Sequence, residues 1–97
     1  MEFEWDLSKE AENLKKHQVS FIESIETFSD PFGFVLRDDK HSSDEERFYW
    51  IGKTDKGQIL TTRYTKRGNK IRIIGSAEWR EFRNLYYEKT NIESSQA

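Results

Sequence analysis

The side chains best suited to act on an anion lie close together in the chain: Arg63, Arg67, Lys70, Arg72, Arg80 and Arg83. They sit in or beside YTKRGNKIRIIGSAEW, Tyr64 to Trp79. A guanidinium offers a rigid fork of donors that matches a phosphate, so a turn and strand rich in arginine suit a phosphate chain. Arg72 leads the group. It falls mid-strand between Ile71 and Ile73, whose side chains point away from it, and a charge there is costly unless solvated, paired or used. Arg72 is either the contact to a negatively charged transition state or an ordinary sheet arginine, exposed or ion-paired with Glu78 or Glu81. Arg63 belongs to the preceding strand, on a face that register alone decides. Arg67 and Lys70 flank a turn, as phosphate-positioning groups or as ordinary turn charge. Arg80 and Arg83 follow on a helix. His17 suits proton transfer near neutral pH, or else closes a helix and bonds a carbonyl. Tyr64 and Tyr87 either stack an aromatic base or donate a proton, or fill core and rim. His41 lies in an acidic loop and is assigned no role. With two histidines, no cysteine and scattered carboxylates, no metal centre or cofactor is implied.

These groups need elements to position them. The Lys66–Asn69 segment is a turn, because Gly68 and Asn69 tolerate the angles of a tight reversal. A strand follows from Lys70 to Ile74. Gly75-Ser76 is expected to break it, with Ser76 capping a last helix from about Ala77 to Lys89 and a frayed polar tail over 90–97. At the other end of the chain, Phe3 to Trp5 alternates as a short strand. Asp6 or Ser8 caps a first helix on which Leu7, Ala11 and Leu14 form one stripe. Lys15, Lys16 and His17 place positive charge at its carbonyl end, and Gln18 stands where glycine would end a helix more cheaply. Ser20 and Glu23 form a capping box for a second helix, with Phe21, Ile25 and Phe28 as its buried stripe and Ile22 alongside. Asp30-Pro31 ends it, Asp30 being extended. Strands are expected at Phe32–Arg37, Arg47–Lys53 and Gln58–Thr65, separated by an acidic loop, Asp38–Glu46, and a hairpin turn at Asp55–Gly57. Phe48 and Trp50 face one way, Tyr49 and Ile51 the other.

Two helices, hairpin-linked strands and a closing helix predict a single α+β domain over residues 1–89. Its core is a twisted antiparallel sheet of about four strands, with two N-terminal helices and one C-terminal helix on one face. Three Trp, seven Phe and four Tyr supply much of the burial that so polar a chain needs. No apolar run reaches the length of a membrane span or signal peptide, so a soluble, cytoplasmic protein is expected. Charge is divided: residues 1–46 hold 13 acidic and 5 basic side chains, net −8, and residues 47–97 hold 5 and 11, net +6, together the −2 of the whole. The second half is the part that attracts an anion.

The order of the segments resembles a known family. FEWD (Phe3 to Asp6) with Lys9 and Asn13, KH-x-VSF (Lys16 to Phe21), Asp30-Pro31, EERFYWIGKT (Glu45 to Thr54) and GQILTTRYTKRGNKIRIIG (Gly57 to Gly75) together resemble the BrnT family of type II toxins. That family belongs to the RelE/ParE-like superfamily of small ribonuclease toxins. The likeness runs from about Glu2 to Glu88. Gln18 replaces the glycine usual after Lys-His, and Gly75-Ser76-Ala77 stands where many members read Ser-Ala-Arg, so Arg80 or Arg83 is the stand-in for that arginine.

The resemblance implies a RelE-like fold and a metal-independent endoribonuclease that attacks through the RNA 2′-hydroxyl and slows translation. On that reading Arg72, Arg80, Arg63 and His17 are the catalytic candidates. Arg67, Lys70, Arg83, Tyr64 and Tyr87 are the RNA contacts. The partner implied is a BrnA-type antitoxin with a ribbon-helix-helix DNA-binding part. It would hold the toxin in a two-plus-two heterotetramer that represses its own operon, the toxin touching DNA only through it. The missing arginine motivates another reading, a degenerate member that only binds antitoxin as co-repressor. A gyrase poison of ParE type is a third.

Overall fold

In the computed structural model, backbone is described for residues 1–95 and side chains as far as residue 91. Chain order is β1 (Glu2–Trp5), α1 (Leu7–His17), α2 (Phe21–Glu26), β2 (Phe34–Arg37), β3 (Arg47–Lys53), β4 (Ile59–Arg67), β5 (Lys70–Ala77) and α3 (Arg80–Ser95), with single 3-10 turns at Thr27–Ser29 and Asp39–His41. The strands form one five-stranded sheet in the order β1-β5-β4-β3-β2. β1 pairs parallel to β5, and every other pairing is antiparallel. The sheet is therefore mixed and has five strands, where an antiparallel sheet of about four is expected. β1 earns its place through Phe3 and Trp5, which pack edge-on against Phe28 and Phe21 at 5.1 and 6.2 Å.

Both faces of the sheet are apolar, so both need cover. On one, Phe21 of α2 joins Tyr64, Ile71 and Ile73, flanked by Phe28, Phe48 and Trp50. On the other, Tyr86 and Phe82 of α3 join Ile51, Ile59, Phe34, Leu36 and Tyr49. The expectation of helices on one face is thus corrected to helices on both. The alternation in β3 already carries the reason, since Phe48 and Trp50 fill one core and Tyr49 and Ile51 the other.

α1 docks in a way its apolar pattern does not suggest. Its Leu7 and Leu14 are 77% and 45% exposed, and Ala11 is exposed as well. What it buries is Asn13. β1 stops opposite Ile73, and beyond that point the outer edge of β5 lacks a neighbouring strand. The Asn13 amide takes that place: its oxygen accepts from the Ser76 N–H at 3.0 Å, and its nitrogen donates to the carbonyls of Ser76 at 2.8 Å and Val19 at 2.9 Å. The caps follow sequence logic. Asp6 accepts from the Ser8 N–H, the Ser20–Glu23 capping box is complete, and Gln18 ends α1 in the left-handed region at φ 59°.

β5 is longer than expected. Gly75 and Ser76 do not break it, and Ser76 caps no helix: it is buried in the strand, its hydroxyl 3.1 Å from that of Thr62. A bulge at Ile74 absorbs the irregularity, since Tyr64 pairs with Ile73 while Arg63 pairs with Gly75. β4 and β5 also run closer to their turn than expected, leaving only Gly68 and Asn69 between them, with Gly68 at φ 61°. α3 continues past Lys89 to Ser95, and within it the Thr90 hydroxyl donates back to the Tyr86 and Tyr87 carbonyls. Of the expected polar tail, the side chains after residue 91 and all of residues 96–97 lie outside the described residues. No helix among the described residues is long and apolar enough to cross a membrane.

Candidate active site

Directly paired residues of neighbouring strands share a face of the sheet, so register settles the position of Arg63. Arg47 pairs with Thr65, Thr65 with Arg72 and Arg72 with Glu4, which makes one row across β3, β4, β5 and β1. The next row is Tyr49, Arg63 and Gly75. Arg63 is diagonal to Arg47, about 7–8 Å away by ordinary sheet spacing, and one row from Arg72. All of these lie on the α3 face. Trp79 and Phe82 pack on Tyr49 at 5.8 and 5.2 Å, and from there the arginines extend towards the Gly68–Asn69 turn.

The arginines differ in what neutralises them. Arg72 pairs with Glu4 at 3.3 Å, both partly buried, rather than with Glu78 or Glu81. Arg67 pairs with Glu45 at 3.4 Å, and Arg37 with Asp39 and Glu46. Among the described residues no carboxylate lies within ion-pairing distance of Arg63 or Arg47. The Arg47 Nε is buried with no hydrogen-bond partner among the described residues. An arginine left without a counter-charge on a partly buried surface favours an anion from outside.

α1 forms a wall beside Arg63. Lys9, Glu12, Lys16 and His17 line a groove whose floor is Arg63, Ile74 and Gly75. Gly75 makes room for the guanidinium: a Cβ there would lie 3.3 Å from Arg63 Nη2 and 3.6 Å from Asn13 Oδ1. On the β3 side, burial and then the Asp38 carboxylate push the Tyr49 phenol above its ordinary pKa, while Arg63 pulls it down.

The structure brings together Arg63, Arg72 and His17 from the sequence candidates. It separates Tyr64, which is buried on the opposite face between Phe28 and Phe48, where burial pushes its phenol up. That burial removes Tyr64 from reach of a nucleotide base. Lys70 and Arg67 close the hairpin at the exposed end of the sheet. Arg80 is exposed at the start of α3, Arg83 is half-buried one turn on, and Tyr87 is exposed beside Tyr86. Arg47, Tyr49, Lys9 and Lys16 were missed by sequence reasoning. The signal for Arg47 was available, since it shares the period of Tyr49 and Ile51. Lys9, Lys16 and His17 recur at the spacing of one helical face.

A family profile described as "Ribonuclease toxin, BrnT, of type II toxin-antitoxin system" matches residues 5–81. The chain belongs to the BrnT family. It is similar in fold to the crystal structure of the Brucella abortus ribonuclease toxin BrnT, with a TM-score of 0.63 and 20% identity over 81% of this chain and 96% of that one. A comparison with curated proteins found no match. BrnT membership carries the description ribonuclease toxin and, with it, an antitoxin partner. The matched span takes in α1, the arginine rows and the first residues of α3.

Proposed function

We propose that this chain is an endoribonuclease that needs no metal and cleaves RNA by internal transesterification. The 2′-oxygen attacks the adjacent phosphorus and the bond to the 5′-oxygen breaks, leaving a 2′,3′-cyclic phosphate and a 5′-hydroxyl. The observation that carries this reading is the pair of guanidiniums on one sheet face, Arg63 and Arg47, that have no carboxylate partner among the described residues. Arg63 holds the charge that builds on the non-bridging oxygens, and Arg47 and Arg72 position the chain on either side. Lys9, Lys16 and the α1 wall bind the flanking backbone. A base must take the 2′-hydroxyl proton, and each rim of the surface carries an imidazole, His17 beside Arg63 and His41 beside Arg47. Cleavage of messages slows translation. A BrnA-type antitoxin with a ribbon-helix-helix part neutralises the toxin in a two-plus-two complex and brings it to operator DNA.

Arg63→Ala tests the reading. Loss of one such donor is expected to lower kcat by about 10²–10³. End-labelled RNA and purified chain read the rate, and an unchanged unfolding midpoint shows that the fold survives. A full wild-type rate in this variant would remove Arg63 from the chemistry. The Arg72–Glu4 ion pair favours a second reading, an antitoxin-binding co-repressor without catalysis. Wild-type chain that binds antitoxin yet leaves RNA intact at any salt concentration selects it.

A further inference from the structure

The acidic loop between β2 and β3 holds a histidine with the geometry of a proton acceptor. His41 Nδ1 lies 2.9 and 3.1 Å from the two carboxylate oxygens of Asp38, which is 3% exposed. A carboxylate only accepts, so Nδ1 carries the hydrogen, and in the neutral ring the lone pair is on Nε2. Nε2 has no hydrogen-bond partner among the described residues, and the side chain is 43% exposed. An imidazole oriented by a buried carboxylate, with its other nitrogen open, is the arrangement that general bases use.

The pair is fastened to Arg47. The Asp38 N–H donates to the Arg47 carbonyl at 2.8 Å, and the Arg47 N–H donates to the Ser42 hydroxyl at 2.9 Å. That hydroxyl in turn donates to the Asp38 carbonyl at 2.6 Å. His41 and Arg47 line one concavity, together with Lys40, Asp44 and Glu45. Tyr49 stands next to Asp38 on the other side, towards Arg63. His17 has no such fixing: among the described residues its ring makes no hydrogen bond.

We infer that His41, oriented by Asp38, is the base that takes the 2′-hydroxyl proton, with Arg47 holding the phosphate beside it. This rests on the RNA-cleavage reading above. As the 2′-oxygen bonds to phosphorus, its proton passes to His41 Nε2. The electron pair of the breaking bond leaves on the 5′-oxygen, which is protonated by water, and the imidazolium returns its proton to solvent. Charged or titratable groups facing the ring are Asp38, Lys40, Asp44, Glu45 and Arg47.

Single-turnover cleavage of a labelled oligoribonucleotide, followed between about pH 5 and 8, tests the inference. The wild-type rate is expected to fall as pH drops, because a protonated Nε2 accepts nothing. His41→Gln is expected to lose about 10²-fold or more and to flatten that acid limb, whereas His17→Gln keeps the limb. Free imidazole is expected to restore His41→Ala in part and Arg47→Ala not at all, a response that a purely structural loop contact would not produce. Cleavage by His41→Gln with the wild-type rate and pH profile overturns the inference and leaves the ribonuclease reading standing. A limb that disappears with His17→Gln instead also overturns it. Wild-type chain that cuts no RNA overturns both.

Discussion

Arg72 shows how far a single residue can be read without register. The alternation of β5 correctly sets it apart from Ile71 and Ile73, but nothing in the sequence shows that β1 pairs alongside and brings Glu4 to 3.3 Å from it. Arg63, whose face the sequence leaves open, lies on the same face as Arg72 and, like Arg47, has no ion-pairing carboxylate among the described residues. The exchange predicts an outcome at Glu4. Glu4→Gln releases Arg72 and is expected to tighten RNA binding about fivefold, the equivalent of roughly 1 kcal/mol for a partly exposed pair. Fluorescence anisotropy with a labelled, uncleavable RNA reads this. Weaker binding in the variant would mean that Glu4 instead holds Arg72 in its working position.

Elements were legible where local chemistry decides them. The Ser20–Glu23 box, the left-handed Gln18 and the extended Asp30 are matters of adjacent residues, and all are present. The misreadings arise where a distant partner overrides local preference. Ser76 is a good cap residue, yet hydrogen bonds with Asn13 and Thr62 keep it in a strand. The stripe on α1 suggests an apolar contact, yet the helix is held by an amide. Asn13→Ala leaves the Ser76 N–H and carbonyl without partners and is expected to cost about 1–3 kcal/mol for each group that stays buried, measured by urea unfolding. α1 also carries a pH signature. The Ser8 hydroxyl and N–H hold the Asp6 carboxyl below its ordinary pKa. A carboxyl depressed in the folded state contributes stability above its ordinary value and loses it as pH falls through the folded value. The gap in unfolding midpoint between wild type and Asp6→Ala is therefore expected to close as pH falls below the usual carboxylate range.

At the scale of the whole molecule, the charge division seen in the sequence takes on a layout. The basic second half supplies β3, β4 and β5, the centre of the sheet, while the acidic first half supplies β1 and β2 at its edges. Glu4 and Glu45 from the first half neutralise Arg72 and Arg67 of the second. Net charge thus understates the local field over the arginine rows. RNA affinity is expected to fall steeply with salt, and Arg47→Ala and Arg63→Ala should each reduce the slope of log K against log salt by about 0.7, the single-strand value per phosphate contact. A filter-binding titration at several ionic strengths measures it, and a slope unchanged in either variant would place that arginine away from the backbone.

Asn13 does more than join a helix to a sheet. Where β1 runs out, β5 would otherwise present bare amide and carbonyl groups, the template on which a second chain can stack and seed aggregates. A side-chain amide parked on Ser76 closes that seam without adding a strand. A toxin made in excess of its neutraliser therefore carries its own guard against self-association at this position, and losing it would first show as turbidity on standing.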